Sequence, residues 1–205
     1  MKREEQNEKS RNRILQAALK EYGSKNFSET SINTICKENG ISKGLIYHYF
    51  ENVDQLFLAC VDECFTQMYE YLEEKVHIVP NDKTATLDCF FKERCAFFSS
   101  KPELAHVFSI ALFQVPPHLK NEVRQRKAKL DKFNRNLIGK LLNLIELREG
   151  VTIEEAVEYI MSFSEFYNNS FNELELVGYT EKERLDLHEA RLLKAIDLLI
   201  YGIGK

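Results

Sequence analysis

The chain has 205 residues, of which 44% are apolar and 29% are charged; this composition excludes an intrinsically disordered protein and fits one or two compact domains. Its first residues are charged, and no stretch approaches the roughly 18 consecutive apolar residues of a membrane span, so we expect a cytoplasmic protein without a membrane partner. The net charge of −4 conceals a basic end, because residues 1–50 contain nine Lys or Arg against six Glu.

The cysteines are odd in number and lie within apolar helical patterns. We therefore expect free thiols that pack as small apolar side chains, with a redox role as the alternative. They are Cys36, Cys60, Cys64, Cys89 and Cys95.

The first predicted helix covers about residues 8–25, because apolar residues recur at helical spacing from Ile14 to Tyr22 and the pattern stops at Gly23. Thr30 or Ser31 can cap a short second helix, SINTICKEN, which Gly40 ends.

Ser42 caps a third predicted helix, KGLIYHYF. Two short helices joined by a Gly-containing turn are typical of the helix-turn-helix, whose second helix lies in the major groove of DNA. Ile41, Leu45, Ile46 and Phe50 can face the small core of such a domain. The remaining residues of the third helix can then meet DNA.

These remaining residues have side chains that suit DNA recognition. Lys43 can donate to guanine, Gly44 permits close approach of the backbone, and tyrosine hydroxyls can donate to phosphate oxygens. The alternative is that Tyr47 and Tyr49 fill the core on either side of His48.

At this point the chain resembles the TetR family of bacterial transcriptional regulators. The resemblance covers about residues 11–57 and includes the segment RILQAALKEYGSKNFSETSINTICKENGISKGLIYHYFENVDQLF. It implies that the start of the second helix contacts the DNA backbone and that the third helix supplies the main contacts. The DNA-binding residues expected from the motif and the resemblance are Thr30, Ser31, Asn33, Ser42, Lys43, Gly44, Leu45, Tyr47, His48 and Tyr49.

One position departs from the family pattern. The fourth helix of the family usually begins with a lysine that contacts a phosphate, and this chain has Val53 there. We therefore expect its DNA affinity to be weaker or less dependent on salt than is usual in the family.

The rest of the chain is also predicted to be helical. Helices are predicted near residues 52–77, 83–99, 102–113, 117–148, 153–176 and 181–201. The predicted fold is therefore all-α: an N-terminal three-helix helix-turn-helix domain, residues 1–50, joined by a long fourth helix to a C-terminal bundle, residues 51–205.

The resemblance to the TetR family implies that the bundle binds a small-molecule effector and forms a homodimer. Independently, the last helix is apolar nearly all round, which favours a dimer interface at Leu192, Leu193, Ile196, Leu199 and Ile200.

The effector site is predicted from aromatic residues in the bundle. Aromatic walls with a few polar groups suit a pocket for an apolar or aromatic molecule, although they suit an ordinary core equally well. Glu165 or His106 could orient a polar or cationic group of the effector. The candidate residues are Phe90, Phe97, Phe98, His106, Phe108, Phe113, Phe163, Glu165, Phe166 and Tyr167.

Two other functions are considered. Glu-x-x-His patterns at 74–77 and 103–106 occur in di-iron helical bundles, but Glu74 and His77 lie at a helix end and the neighbouring helix offers few carboxylates. We therefore expect no metal, no cofactor and no enzymatic activity. The second alternative is an interaction module whose helix-turn-helix has lost DNA binding. The favoured prediction is a dimeric regulator, most often a repressor in such proteins, that binds a palindromic operator and is released by its effector.

Overall fold

The computed structural model describes residues 2–80, 82–171, 174 and 178–203. These residues form α-helices and two short 3₁₀ helices, with no β-strand among them. The all-α prediction is confirmed. The helices are α1 (Lys2–Tyr22), α2 (Ile32–Asn39), α3 (Lys43–Tyr49), α4 (Val53–Lys75), α5 (Lys83–Ser100), α6 (Pro102–Phe113), α7 (Lys120–Leu142), α8 (Ile153–Phe171) and α9 (Glu181–Ile203), and the 3₁₀ helices are Phe27–Glu29 and Pro117–Leu119.

Three helices differ from the prediction. Helix α1 begins at Lys2 rather than near residue 8, because a polar sequence can continue a helix without an apolar stripe. Helix α7 ends at Leu142 rather than 148, and hydrogen-bonded turns at residues 143–145 follow it. Helix α8 ends at Phe171, and the last part of the predicted 153–176 helix falls largely on residues outside the described ranges.

The described chain packs as two compact units. The first contains residues 1–65 and 101–126, and the second contains residues 66–100 and 127–205, so α4 and α7 contribute to both. The first unit therefore includes α6 in addition to α1–α3. The functional division at residue 50 stays a prediction.

The first unit is organised around the aromatic ring of Tyr22. This ring is completely buried and lies 5.2 Å from the Phe57 ring and 6.2 Å from the Phe27 ring. The Tyr22 hydroxyl donates to the carbonyl of Val53 at 3.4 Å. Helix α1 is thereby fixed against the first turn of α4.

Helix α6 packs against the end of α1 at a point where only glycine fits. A Cβ atom at Gly23 would lie 2.6 Å from the Cβ and 2.7 Å from the Cα of Glu103, far inside normal contact distance. Nearby, His106 Nε2 lies 3.2 Å from the carbonyl oxygen of Lys25.

In the second unit, α5 and α8 both pack against α9. The last part of α4 joins them through the Tyr71 hydroxyl, which donates to Glu93 at 2.9 Å. Threonines cap α8 and α9 in the same way: Thr152 with Glu155 and Thr180 with Glu183 exchange hydrogen bonds as capping boxes.

Candidate nucleic-acid interface

The N-terminus of α2 is built as the sequence predicts. Ser31 is the cap, and its hydroxyl oxygen accepts from the Asn33 amide at 3.2 Å. Thr30 is not the cap; its hydroxyl donates to the carbonyl of Asn26. Asn33 is exposed, so its side chain is accessible to a partner.

Helix α3 separates a buried side from an exposed one. Ser42 caps it by accepting from the Leu45 amide at 3.2 Å, and Ile46 is completely buried. On the other side, Tyr47 is 50% exposed and Lys43 is exposed as well. Ser42, Gly44 and His48 are also exposed, whereas Leu45 and Tyr49 are half-buried. The exposed residues form one continuous surface over the N-terminal and middle turns of α3.

Tyr49 is held by the first helix. Its hydroxyl donates to Asn7 Oδ1 at 3.2 Å, and the edge of the His48 ring meets the Tyr49 ring at 4.9 Å between centroids. Asn7 lies in the part of α1 that precedes the predicted helix, so this contact was not predicted. A phosphate contact by Tyr49 would have to share or replace this hydrogen bond.

Two arginines of α1 fix the position of the helix-turn-helix. Arg13 Nη2 donates to the carbonyls of Asn39 at 2.9 Å and Gly40 at 3.3 Å, at the turn between α2 and α3. Gly40 has φ +59°, a conformation that favours glycine. The Arg11 guanidinium lies 5.2 Å from the centre of the Phe50 ring at the end of α3. The sequence analysis did not single out either arginine, although both lie within three residues before Ile14, where the apolar pattern of α1 begins.

The start of α4 carries acidic rather than basic charge. Asn52 caps it by accepting from the Gln55 amide at 2.9 Å. Asp54 pairs with His118 Nε2 at 3.1 Å, and two turns later Asp62 pairs with Arg126 at 3.2 Å. These pairs are at the surface and contribute little to stability. The first pair places His118, from the 3₁₀ helix Pro117–Leu119, beside the start of α4, where a lysine is usual in the TetR family.

The predicted effector residues are divided between the two units. His106, Phe108 and Phe113 belong to the first, where His106 contacts the Lys25 carbonyl and Phe108 packs edge-on against Phe65. The other seven belong to the second. Of these, Phe90, Phe97 and Phe98 are buried, Phe163 and Tyr167 are half-buried, and Glu165 and Phe166 are exposed.

A buried polar network in the second unit was not predicted. Arg94 of α5 donates to both carboxylate oxygens of Glu189 of α9, at 2.5 and 2.8 Å. His188 Nδ1 lies 3.2 Å from Glu189 and its Nε2 lies 2.8 Å from Asn168 Oδ1. Burial alone would raise the pKa of Glu189, but Arg94 and His188 outweigh it and hold that pKa at about 2.

The predicted dimer residues differ in exposure. Leu192, Ile196 and Ile200 are buried within the protomer, whereas Leu193 and Leu199 are half-buried. Three large apolar side chains nearby are instead exposed: Tyr159 at 70%, Phe166 at 67% and Leu198 at 61%. Tyr159 and Phe166 are seven residues apart on α8 and therefore share one side of that helix.

The structure bears on a redox role of the cysteines and on metal binding. Burial raises the pKa of the Cys60 and Cys64 thiols, so these residues hold little reactive thiolate. Within the described ranges, no group of three or more His, Cys, Asp or Glu side chains is arranged to hold a metal ion. Among the same residues, no helix is long and apolar enough to cross a membrane.

Comparison with known proteins gives related regulators. Residues 14–60 match the family described as bacterial regulatory proteins, tetR family. The transcriptional regulator LmrA of Bacillus subtilis is 29% identical over 117 residues, 55% of this chain and 60% of that protein, so the match spans less than two thirds of its length. The negative transcriptional regulator IcaR of Staphylococcus epidermidis is 19% identical over 80% of this chain and 85% of its own.

Solved structures share the whole fold. A transcriptional regulator from Cytophaga hutchinsonii matches 94% of this chain and 97% of its own, with 18% identity and a TM-score of 0.69. FadR from Bacillus subtilis, solved in complex with stearoyl-CoA, matches 94% of this chain and 98% of its own, with 20% identity and a TM-score of 0.60. Residues 14–60 therefore carry the helix-turn-helix of the tetR family of bacterial regulatory proteins, and the chain as a whole is similar in sequence and fold to regulators of this kind.

Proposed function

We propose that this chain is a transcriptional repressor that binds a palindromic operator as a homodimer and is released by a small-molecule effector. The observation that carries the proposal is the exposed surface of α3. Ile46 of this helix is buried in the core, whereas Lys43, Gly44, Tyr47 and His48 are exposed. A helix presented in this way can enter the major groove. The name of the relative IcaR, a negative transcriptional regulator, supports repression rather than activation.

Each side chain of the proposed reading surface has a distinct role. Lys43 donates to guanine O6 or N7, and Tyr47 and His48 donate to phosphate oxygens. Gly44 has no atom within 4 Å of the position that a Cβ would occupy, so the backbone there is open to close approach by DNA. Thr30, Ser31 and Asn33 at the start of α2 contact the neighbouring backbone.

The dimer surface of the proposal is the apolar side of α8 together with the exposed part of α9. Tyr159, Phe166 and Leu198 form this α8–α9 surface, and half-buried Leu193 and Leu199 extend it. Leu192, Ile196 and Ile200 support it from within the protomer. A second copy of the chain that covered these rings would bury apolar area at about 25 cal/mol per Å².

The effector is proposed to be an apolar or aromatic molecule that binds the aromatic second unit. Buried Phe90, Phe97 and Phe98 and half-buried Phe163 and Tyr167 supply apolar surface there. The complex of the structurally similar FadR with stearoyl-CoA makes long-chain acyl compounds reasonable candidates for a screen. Release from the operator requires a coupling free energy on the order of 1–3 kcal/mol between effector and DNA binding.

Selection of bound duplexes from a random DNA pool tests this function. We expect an enriched palindrome whose affinity falls steeply with salt. The double variant Lys43→Ala/Tyr47→Ala should lose at least tenfold in affinity for it, because a good base contact contributes about 1–3 kcal/mol. Lys182→Ala, which removes an exposed lysine from α9, is the matched control and should bind normally.

The outcomes separate the candidate functions. If no duplex is enriched even at low salt, the chain is not an operator-binding protein. If a palindrome is enriched but the Lys43→Ala/Tyr47→Ala variant still binds it tightly, α3 is not the reading helix. Thermal unfolding of that variant should match the wild type, since both side chains are exposed.

A further inference from the structure

Buried polar atoms without a partner are concentrated in the second unit. Within the described ranges, four buried side-chain atoms have no hydrogen-bond partner, and all four lie there: Asp131 Oδ1, Asn134 Oδ1, Tyr167 Oη and Arg184 Nε. Two of these side chains are in ion pairs, because Asp131 lies 3.1 Å from Lys127 and Arg184 lies 3.8 Å from Glu181. The other two, Asn134 and Tyr167, are uncharged.

An unsatisfied hydroxyl in a native protein requires an explanation, because it costs roughly 1–3 kcal/mol. The hydroxyl of Tyr167, on α8, is unsatisfied in this sense, and the side chain is surrounded by aromatic rings. Its ring stacks on Phe163 at 6.1 Å between centroids and lies 6.0 Å from Phe171 and 5.3 Å from His188. Burial raises the pKa of Tyr167, so the hydroxyl keeps its proton at neutral pH and can donate it.

Arg94 and Glu189, two charged side chains buried in the second unit, are already matched with each other by two hydrogen bonds. A charged ligand group that reached the interior of this unit would have to compete with this pair, which is costly to break. A neutral ligand needs only a group that accepts from or donates to the hydroxyl of Tyr167.

We infer that the Tyr167 hydroxyl is the polar anchor of the effector, and that the effector is an uncharged aromatic or apolar molecule with a hydrogen-bonding hydroxyl or amide group. The inference rests on the proposed function and adds to it the anchoring residue and the charge of the ligand. It also replaces the earlier candidates for the polar contact, because Glu165 is exposed and His106 already contacts the Lys25 carbonyl.

A series of probes with one ring system tests the predicted charge. The probes are 1-naphthol, naphthalene, 1-naphthoate and 1-naphthylmethylammonium, which differ in a single group. Because the chain contains no tryptophan, naphthyl fluorescence can be followed without tryptophan background. We expect full-length protein to bind 1-naphthol about tenfold more tightly than each of the other three, the ratio that one net hydrogen bond supplies.

Two variants connect the preference to one hydroxyl. Tyr167→Phe should reduce naphthol affinity to that of naphthalene and leave naphthalene binding unchanged. Tyr179→Phe removes a hydroxyl from an exposed tyrosine outside α8 and outside the α8–α9 surface, and it should change neither affinity. The inference is overturned if no probe binds, if a charged probe binds best, or if the naphthol preference survives in Tyr167→Phe.

A measurement without any probe provides an independent test. Removal of an unsatisfied buried hydroxyl relieves its desolvation cost, so the free Tyr167→Phe protein should unfold about 2–4 °C higher than the wild type. A lower unfolding temperature of Tyr167→Phe would show that the Tyr167 hydroxyl already has a structural partner and does not serve to bind the effector.

The failure of this inference is distinguishable from failure of the proposed function. Operator binding is measured in the same samples by fluorescence anisotropy of labelled DNA. If the protein binds its operator normally but shows no preference for 1-naphthol, the inference about Tyr167 is wrong and the proposed function stands. Conversely, a naphthol preference that depends on Tyr167, in a protein that binds no operator, supports the anchor and overturns the regulator.

Discussion

At the scale of single residues, Val53 is the position where this chain departs from the TetR-family pattern that it resembles. Helix α4 begins there without a lysine, and the nearest charged side chain of its first turn, Asp54, is paired with His118. The N-terminus of α4 offers a phosphate its free amides and the imidazole of His118 from the 3₁₀ helix Pro117–Leu119. The electrostatic part of DNA binding should therefore rest mainly on α1–α3.

Restoration of the lysine gives a quantitative prediction. Val53→Lys should add one phosphate contact, raise operator affinity and steepen the slope of log affinity against log salt by about 0.9. Thr66→Lys places the same charge on an exposed position of the same helix and serves as the control. Salt titrations of operator binding by both variants test this prediction. If Val53→Lys and Thr66→Lys have equal slopes, the start of α4 does not face a phosphate.

The Arg94–Glu189 pair gives a second prediction at this scale. Arg94→Leu leaves Glu189 buried without its guanidinium and should cost about 3–5 kcal/mol in urea unfolding. The double variant Arg94→Leu/Glu189→Leu should recover much of that loss, because it removes both charges. A double variant as unstable as the single one would indicate that packing, rather than charge, is what Arg94 contributes.

The same pair determines how stability depends on pH. The pKa of Glu189 is lowered from its ordinary value of 4.5 to about 2, so the folded carboxylate binds a proton less readily than the unfolded one. Its contribution to stability is present above pH 4.5 and is lost as pH falls toward 2. In Arg94→Leu burial acts on Glu189 without the opposing guanidinium, so this acid-induced loss should become smaller. Urea midpoints measured from pH 6 to pH 3 would show a parallel loss in both proteins if the pair were irrelevant.

At the scale of elements, two glycines that look alike in sequence have opposite surroundings. Gly23 ends α1 where Glu103 of α6 is within 2.7 Å of any added Cβ, whereas Gly44 in α3 faces open space. The first glycine therefore permits two helices to approach each other. The second leaves a helix surface open to a partner.

Alanine at each glycine should separate stability from DNA binding. Gly23→Ala should destabilise the protein by about 1–3 kcal/mol, because the backbone of α6 must move away. Gly44→Ala should leave stability unchanged or raise it by up to about 1 kcal/mol, since alanine favours the helix, and yet weaken operator binding. Thermal unfolding and operator titration of both variants test this; unchanged operator binding in Gly44→Ala would remove the close approach proposed for α3.

At the scale of the whole molecule, the exposed α8–α9 surface predicts self-association. Phe166→Asp places a charge on this surface and should shift the protein from dimer to monomer, which sedimentation velocity would detect. Tyr179→Asp alters an exposed aromatic residue outside the surface and should remain dimeric. A dimeric Phe166→Asp protein would mean that copies meet elsewhere.

Loss of the dimer should also reduce DNA affinity. A monomer contacts one half of a palindrome and makes about half of the phosphate contacts, so Phe166→Asp should show a shallower dependence on salt. This result would link the α8–α9 surface to the reading helices through assembly, without any change in α3 itself.

The local features of the protein could be predicted from its sequence patterns. Apolar spacing and capping residues predicted the order of the helices, and Ser31, Gly40 and Ser42 lie where the caps were expected. These signals are readable because a cap or an apolar stripe involves residues only a few positions apart. The family resemblance rests on this same continuous segment.

The contacts between distant residues are visible only in the folded chain. Arg94 and Glu189 are 95 residues apart, Asn7 and Tyr49 are 42 apart, and α6 belongs to the same unit as α1. The fold also shows that the Tyr167 hydroxyl has no hydrogen-bond partner within the described ranges and that Leu192 is turned inward. Helical periodicity shows that one side of a helix is apolar, but not which helix covers it, because that depends on packing between segments that are remote in sequence.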